Sequence, residues 1–155
     1  MSAKSDNIAQ LESAYKAFRA KLASLPEAAW HEQWLGEWTC SQLLAHMAAW
    51  ANEMTGAINR VGAGQRPTPE GVNYSDADAW NAKFTANSVL GPSALDEFDL
   101  CFKRYMDAAN SLGEEQFGSS PEGKLKIGSR LLDGAGIHHL AEHGAELDAW
   151  LASRA

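Results

Sequence analysis

The sequence predicts an all-α domain, and three observations carry that prediction. Alanine is the commonest of its 155 residues with 27 copies, whereas β-branched Val and Ile number only 3 and 4, a composition that favours helices over sheets. Apolar residues recur at three- and four-residue intervals in stretches separated by Gly, Pro and Ser punctuation, the period of a helix with one buried face. Hydrophobic content of 45% beside 21% charged residues is that of an ordinary globule and excludes disordered and fibrous classes. The length suits a single domain over residues 1–155, able to bury a core without disulfide or metal.

The first helix is expected after Ser5-Asp6, either of which can cap free amides, and Ile8, Leu11, Tyr15, Phe18 and Leu22 sustain it until Leu25-Pro26. An aromatic connection follows, in which Trp30, Trp34 and Trp38 recur every four residues and are expected to pack as one turn or a capping layer. Thr39 or Ser41 caps the second helix, whose stripe is Leu43, Met47, Trp50, Met54, Ile58 and Val61, and Gly62-Ala63-Gly64 ends it. Residues 63–75 form a Pro/Gly-rich link without periodicity. It is longer than a hairpin needs, so it is expected to cross over the bundle. Ser75-Asp76 opens a short helix from Ala77 to about Val89, Gly91-Pro92 breaks it, and Ser93 caps a longer one carrying Leu95, Phe98, Phe102, Tyr105, Met106 and Ala109. After a loop from Leu112-Gly113 to about Lys126, a last helix spans 128–152 despite Gly134, Gly136 and Gly144, which weaken it locally.

A net charge of −7 with no basic run argues against nucleic acid and anionic membranes as partners. Cys40 and Cys101 lack metal-ligand or redox spacing and read as buried thiols in a reducing compartment. The polar start MSAKSDNIAQ has no signal-peptide core, and no stretch approaches 18 continuous apolar residues, so a cytoplasmic location is expected.

Chemistry points to the histidines. At about 100° per residue, His143 lies about 40° from His139 on the last helix and Glu146 about 20° to the other side. Leu132, Leu147 and Trp150 share that direction, so the pair faces the bundle interior, while His138 is peripheral. Two imidazoles at i, i+4 can bind one metal ion. His46, beside the stripe of the second helix, is the candidate third ligand, and three neutral imidazoles suit Zn²⁺, Ni²⁺ or Fe²⁺. The competing reading makes them satisfied core histidines. His31 reads as a solvated or structural loop residue. Glu53, about 20° from His46 on its helix, and Glu146 are candidate catalytic groups, able to orient an imidazole or act as base.

These residues also carry a resemblance. The run Trp38-Thr39-Cys40-Ser41-Gln42-Leu43-Leu44-Ala45-His46-Met47-Ala48-Ala49-Trp50 resembles the second-helix motif of the DinB/YfiT-like superfamily. Asp78-Ala79-Trp80-Asn81 is similar to the Asp-x-Trp-Asn preceding its third helix, and the stretch from His139 through His143 to Leu151 resembles its final helix. The resemblance implies an up-down-down-up four-helix bundle with a long crossover between helices 2 and 3, and a divalent metal on His46, His139 and His143. It further implies an enzyme, either a hydrolase or a thiol S-transferase. Such an enzyme activates water or a low-molecular-weight thiol, of the mycothiol or bacillithiol kind, against a small electrophile. The neighbouring ClbS/DfsB group is similar in its Trp-Asn and His-Leu-Ala-Glu-His segments and implies the alternative, a metal-independent protective hydrolase. A third reading is a small-molecule-binding bundle without catalysis. Apolar helix faces and the aromatic connection at 30–38 make a homodimer the expected assembly.

Overall fold

In the computed structural model, which describes residues 2–154, the chain folds into helices with no β-strand among the described residues. The principal elements are α1 (Ala3–Ala23), α2 (Cys40–Gly62), α3 (Ala77–Thr85), α4 (Ala94–Ser111), α5 (Ile127–Leu132) and α6 (His139–Ser153). A π-helical turn, Asp133–His138, joins α5 to α6, so the expected last helix is one rod with a widened middle.

Side-chain contacts fix the direction of each helix. Ser41, at the start of α2, accepts a hydrogen bond from the Gly91 N–H at 2.8 Å, just before α4 begins. Gly62 and Leu112 come together at the other end of the pair, so α2 and α4 run parallel. Lys4 reaches the Asn110 carbonyl and Arg19 pairs with Asp99 at 3.0 Å, which makes α1 antiparallel to α4. Ser129 donates to Asn7 and Lys21 pairs with Asp148, so α1 and the α5–α6 rod run the same way. The result is the up-down-down-up bundle. Two parallel neighbours cannot be joined by a tight turn, and residues 63–93, with α3 inside them, make the crossover.

Between these four rods lies the core: Leu11, Phe18 and Leu22 from α1, Leu43, Met47 and Ile58 from α2, Phe98, Phe102 and Tyr105 from α4, and Leu132, Leu140 and Leu147 from the last rod. Each fully buried side chain of this kind contributes about 1.5–3 kcal/mol. No described helix is long and apolar enough to cross a membrane. Both cysteines are free and buried.

Local details differ from expectation at several points. Ser2, not Ser5 or Asp6, caps α1, because Ser2 and Ser5 satisfy each other's backbone amides in a capping box and Asp6 falls inside the first turn. Thr39 caps α2 in the same manner with Gln42, leaving Ser41 free to hold Gly91. The short helix ends at Thr85 rather than Val89. Ser93 makes no side-chain cap, since the 3₁₀ turn Gly91–Ser93 feeds directly into α4. Nor do Trp30, Trp34 and Trp38 form one turn. Trp30 is buried in the 3₁₀ turn Glu27–His31, Trp34 stacks on Trp150 at 4.7 Å, and Trp38 lies over His46 at 4.8 Å. A bridge between Leu35 and Trp38, turning at Gly36 with φ 60°, separates the last two. The aromatic connection is therefore consumed within the chain.

Packing requires a glycine inside the π-helical turn. A Cβ on Gly136 would come within 2.7 Å of the Tyr105 hydroxyl and 2.9 Å of Leu11 Cδ1, and Tyr105 donates that hydroxyl to the Leu131 carbonyl just before the turn. Gly136→Ala gains about 1 kcal/mol of helix propensity but must displace two buried side chains. A net loss of about 1–3 kcal/mol is expected in urea unfolding, and an unchanged midpoint would show that the rod can slide.

Candidate metal centre

The regular helix resumes at His139, after the π-helical turn, so His139 and His143 sit one α-turn apart and face inward. Opposite them, Thr39 caps α2 seven residues before His46, and the helix delivers that ring, 6% exposed, to the same point. His46 Nε2 lies 2.8 Å from His139 Nε2. Ring centroids are 4.7 Å apart for His46 and His139, 5.4 Å for His46 and His143, and 4.6 Å for His139 and His143. One ligand nitrogen from each of the three lies within 4.8 Å of the others. His46 and His143 open onto a groove of about 510 Å³ walled by Trp38, Asn81, Glu37, Glu142 and Glu146 among others, with His139 behind them.

Asn81 settles how His46 is held. Its Oδ1 accepts the Trp50 indole N–H at 2.7 Å, and an indole can only donate, so the amide oxygen is the atom at this position. The same oxygen is 2.8 Å from His46 Nδ1, which must then carry the proton. The lone pair of His46 is thereby placed on Nε2, toward His139 and the groove.

The other two rings meet a different problem. His139 Nδ1 and His143 Nδ1 are buried without a well-formed hydrogen bond. His143 Nδ1 is 3.1 Å from a Glu146 carboxylate oxygen, and the Ala135 carbonyl is the neighbour that favours a proton on His139. If His139 donated through Nε2 to His46, its Nδ1 would be a buried acceptor with no donor. With the proton on Nδ1 instead, the Nε2 lone pair of His139 is offered beside that of His46. Two converging lone pairs repel unless a cation lies between them. The residues present therefore fit a divalent ion, on the chemistry of the donor set, three imidazoles whose ligand nitrogens lie within 4.8 Å of one another.

Burial keeps these rings neutral, as ligands must be. Burial, aided by the charge His143 can carry, lowers the His46 pKa from 6.5 to about 4, against the hydrogen bond that His46 Nδ1–H donates to Asn81 Oδ1. Burial and the two neighbouring imidazoles lower that of His139 to about 3. For His143 burial also wins, opposed by Glu146 and Glu142, and the pKa is lowered.

Of the two carboxylates expected to be catalytic, Glu146 stands at the groove beside His143. Glu53 lies further along α2 and near enough to Tyr74 to raise that phenol's pKa; it is not among the residues walling the groove. His138 is exposed and bonded to Asp133 at 3.0 Å, and His31 lies at the surface beside Gly91. Sequence reasoning assigned no role to Asn81, although the Asp78-to-Asn81 motif contained it, nor did it place Trp38 over His46. Both cysteines are held in the thiol form by burial, Cys40 pushed up to about 11 and Cys101 to about 12, so neither is a ready nucleophile.

The model of the DinB superfamily matches residues 10–147. The chain belongs to the DinB superfamily. Solved structures place this DinB-superfamily bundle among similar folds at low identity. A Streptococcus pneumoniae protein superposes with a TM-score of 0.78 at 12% identity, over 96% of this chain and 90% of its own. A mycothiol-dependent maleylpyruvate isomerase gives 0.70 at 17%, over 95% of this chain and 63% of its own. The colibactin self-resistance protein ClbS, solved in complex with dsDNA, gives 0.68 at 13%, over 94% of this chain and 93% of its own. At these identities the likeness is one of fold. No curated protein sequence matches the chain significantly.

Proposed function

We propose that the chain is a metal-dependent enzyme acting on a small electrophile, with water or a low-molecular-weight thiol as its nucleophile. The observation that carries this reading is the convergence of His46, His139 and His143, whose ligand atoms lie within 4.8 Å of one another, with His46 and His143 on the wall of a groove. A Zn²⁺ or Ni²⁺ ion held there supplies Lewis acidity, lowering the pKa of a bound nucleophile or polarising the electrophile.

The chain's own residues do the rest. Asn81 holds His46 in the tautomer that presents Nε2, while Trp38 packs against that ring. Glu146, 3.1 Å from His143 Nδ1, can fix that ring and take up a proton from a nucleophile in the groove. Because Cys40 and Cys101 are buried thiols, a sulfur nucleophile has to enter from outside. The resemblance to thiol-dependent family members and the mycothiol-dependent fold neighbour support thiol transfer alongside hydrolysis.

A second reading rests on the 2.8 Å approach of His46 Nε2 to His139 Nε2, the distance of a direct imidazole–imidazole hydrogen bond. It favours a metal-independent protective hydrolase of the ClbS kind, or a binding bundle, in which His139 donates through Nε2 to His46. The homodimer remains part of the proposal; with Trp30, Trp34 and Trp38 engaged within the chain, exposed Val89 and Leu90 are the surface a second copy would use.

One assay separates the readings. Zn²⁺- and Ni²⁺-loaded protein is screened against activated esters and a chromogenic aryl halide, with and without added thiol. Turnover that disappears in both His46→Ala and His139→Ala supports the metal enzyme. Turnover that persists in chelated protein and in both variants overturns it in favour of the second reading.

A further inference from the structure

Charge at the mouth of the histidine groove is all of one sign. Glu37 enters from the turn between Leu35 and Trp38, and Glu142 and Glu146 enter from α6, while no Lys or Arg lines the groove. Cations packed around α6 are already paired elsewhere, Arg154 with Glu32 at 2.7 Å and Lys21 with Asp148 at 2.8 Å. Three carboxylates outnumber the two positive charges that a divalent ion would bring, so the mouth stays negative with the metal in place. A groove with low-dielectric walls and one sign of charge concentrates the opposite sign and repels its own. Trp38 adds an indole wall, whose π-face also attracts cations.

We propose that this groove selects small molecules bearing a cationic group, an ammonium above all, next to the atom that engages the metal, and rejects anionic ones. The inference rests on the metal-centre reading and adds its substrate class. Selectivity of this kind arises as much from repulsion of the wrong ligand as from attraction of the right one.

Its test uses thiols of graded charge as probes of the Co²⁺-loaded protein: cysteamine, 2-mercaptoethanol and mercaptoacetate. Binding is read from the near-ultraviolet absorption that Co²⁺ gains when a thiolate joins it. The comparison protein is Glu37→Gln/Glu142→Gln. Both positions are exposed, so folding is not at stake, and neither residue belongs to the three-histidine set. The three thiols differ in intrinsic acidity, but that difference is the same for both proteins and cancels. The expected result is a preference for cysteamine over mercaptoacetate that falls about tenfold in the double variant, and that shrinks for the native protein at high salt. An identical preference in the two proteins, or tighter binding of mercaptoacetate to the native one, overturns the charge selection alone. Failure of Co²⁺ to bind the native protein overturns the metal reading and this inference with it.

Discussion

Loaded with Zn²⁺ or Ni²⁺ and freed of excess, the native protein is expected to retain about one ion per chain, and His46→Ala/His139→Ala none. The effect is all-or-none because the double variant keeps one imidazole of three, and a single neutral nitrogen does not hold an ion against buffer. Elemental analysis reads it directly. Thermal melting gives an independent measure, since a ligand at 100 times its Kd stabilises the native state by about 2.7 kcal/mol, and a chelator should take that increment from the native protein only. Equal metal content in the two proteins would remove the histidines from the binding site.

The same rings set a pH dependence in metal-free protein. His46 titrates at about 4 and His139 at about 3 in the folded state, against about 6.5 in an unfolded chain. The unfolded state therefore takes up protons first as pH falls, and stability declines from about pH 6.5 down through pH 4. Each buried ring accounts for a loss on the order of a few kcal/mol. The double variant should show a shallower decline in urea midpoint between neutral pH and pH 4.5; a slope equal to the native one would assign acid sensitivity to other groups.

Replacing Asn81 should weaken metal binding by about 10–100-fold although Asn81 touches no metal. Asn81→Leu removes the oxygen that takes hydrogen bonds from His46 Nδ1 and Trp50 Nε1, leaving two part-buried N–H groups unpaired at about 1–3 kcal/mol each. His46 is then free to move its proton to Nε2, the position it must offer as a lone pair. Asn81→Asp keeps the acceptor and should retain most of the affinity. Competition with a chromophoric chelator gives the affinities, and the ¹⁵N shifts of His46 report which nitrogen carries the proton. Equal affinity in native, Leu and Asp proteins would make Asn81 a structural residue only. The same substitution loosens α3, which buries none of its own residues and is held to α2 by Asn81 and by Tyr74, Trp80 and Phe84 around Trp50. Tryptophan emission should shift accordingly.

Periodicity and punctuation are local properties, and what rests on them was readable in advance. Leu43, Met47 and Ile58 predict the buried face of α2, and Gly62-Ala63-Gly64 its end, because a helix must bury one stripe and stop where glycine removes its support. The inward direction of His139 and His143 follows from the same arithmetic, since both lie beyond the π-helical turn in regular helix. Where local signals tie, neighbours decide. Ser2 and Ser5 are both capping residues, and the reciprocal bond between them moved the start of α1. Trp30, Trp34 and Trp38 share a helical spacing, yet Gly36 turns the chain and sends them to three different contacts. Glu53 and His46 share a helix face, but seven residues of rise, about 10 Å, put Glu53 beside Tyr74 instead of the groove.

By itself, the sequence determined that this protein is an all-α bundle with a long crossover, two inward histidines and His46 as the candidate third, because hydrophobic period and helix-breaking residues act within a few positions of themselves. Only the tertiary structure decided that the three histidines meet, that Asn81 from the crossover fixes the proton on His46, that Gly136 makes room for Tyr105, and that three carboxylates share one mouth. Each of these joins residues more than 30 positions apart or from different helices, and such contacts depend on how the rods pack, which no local pattern encodes.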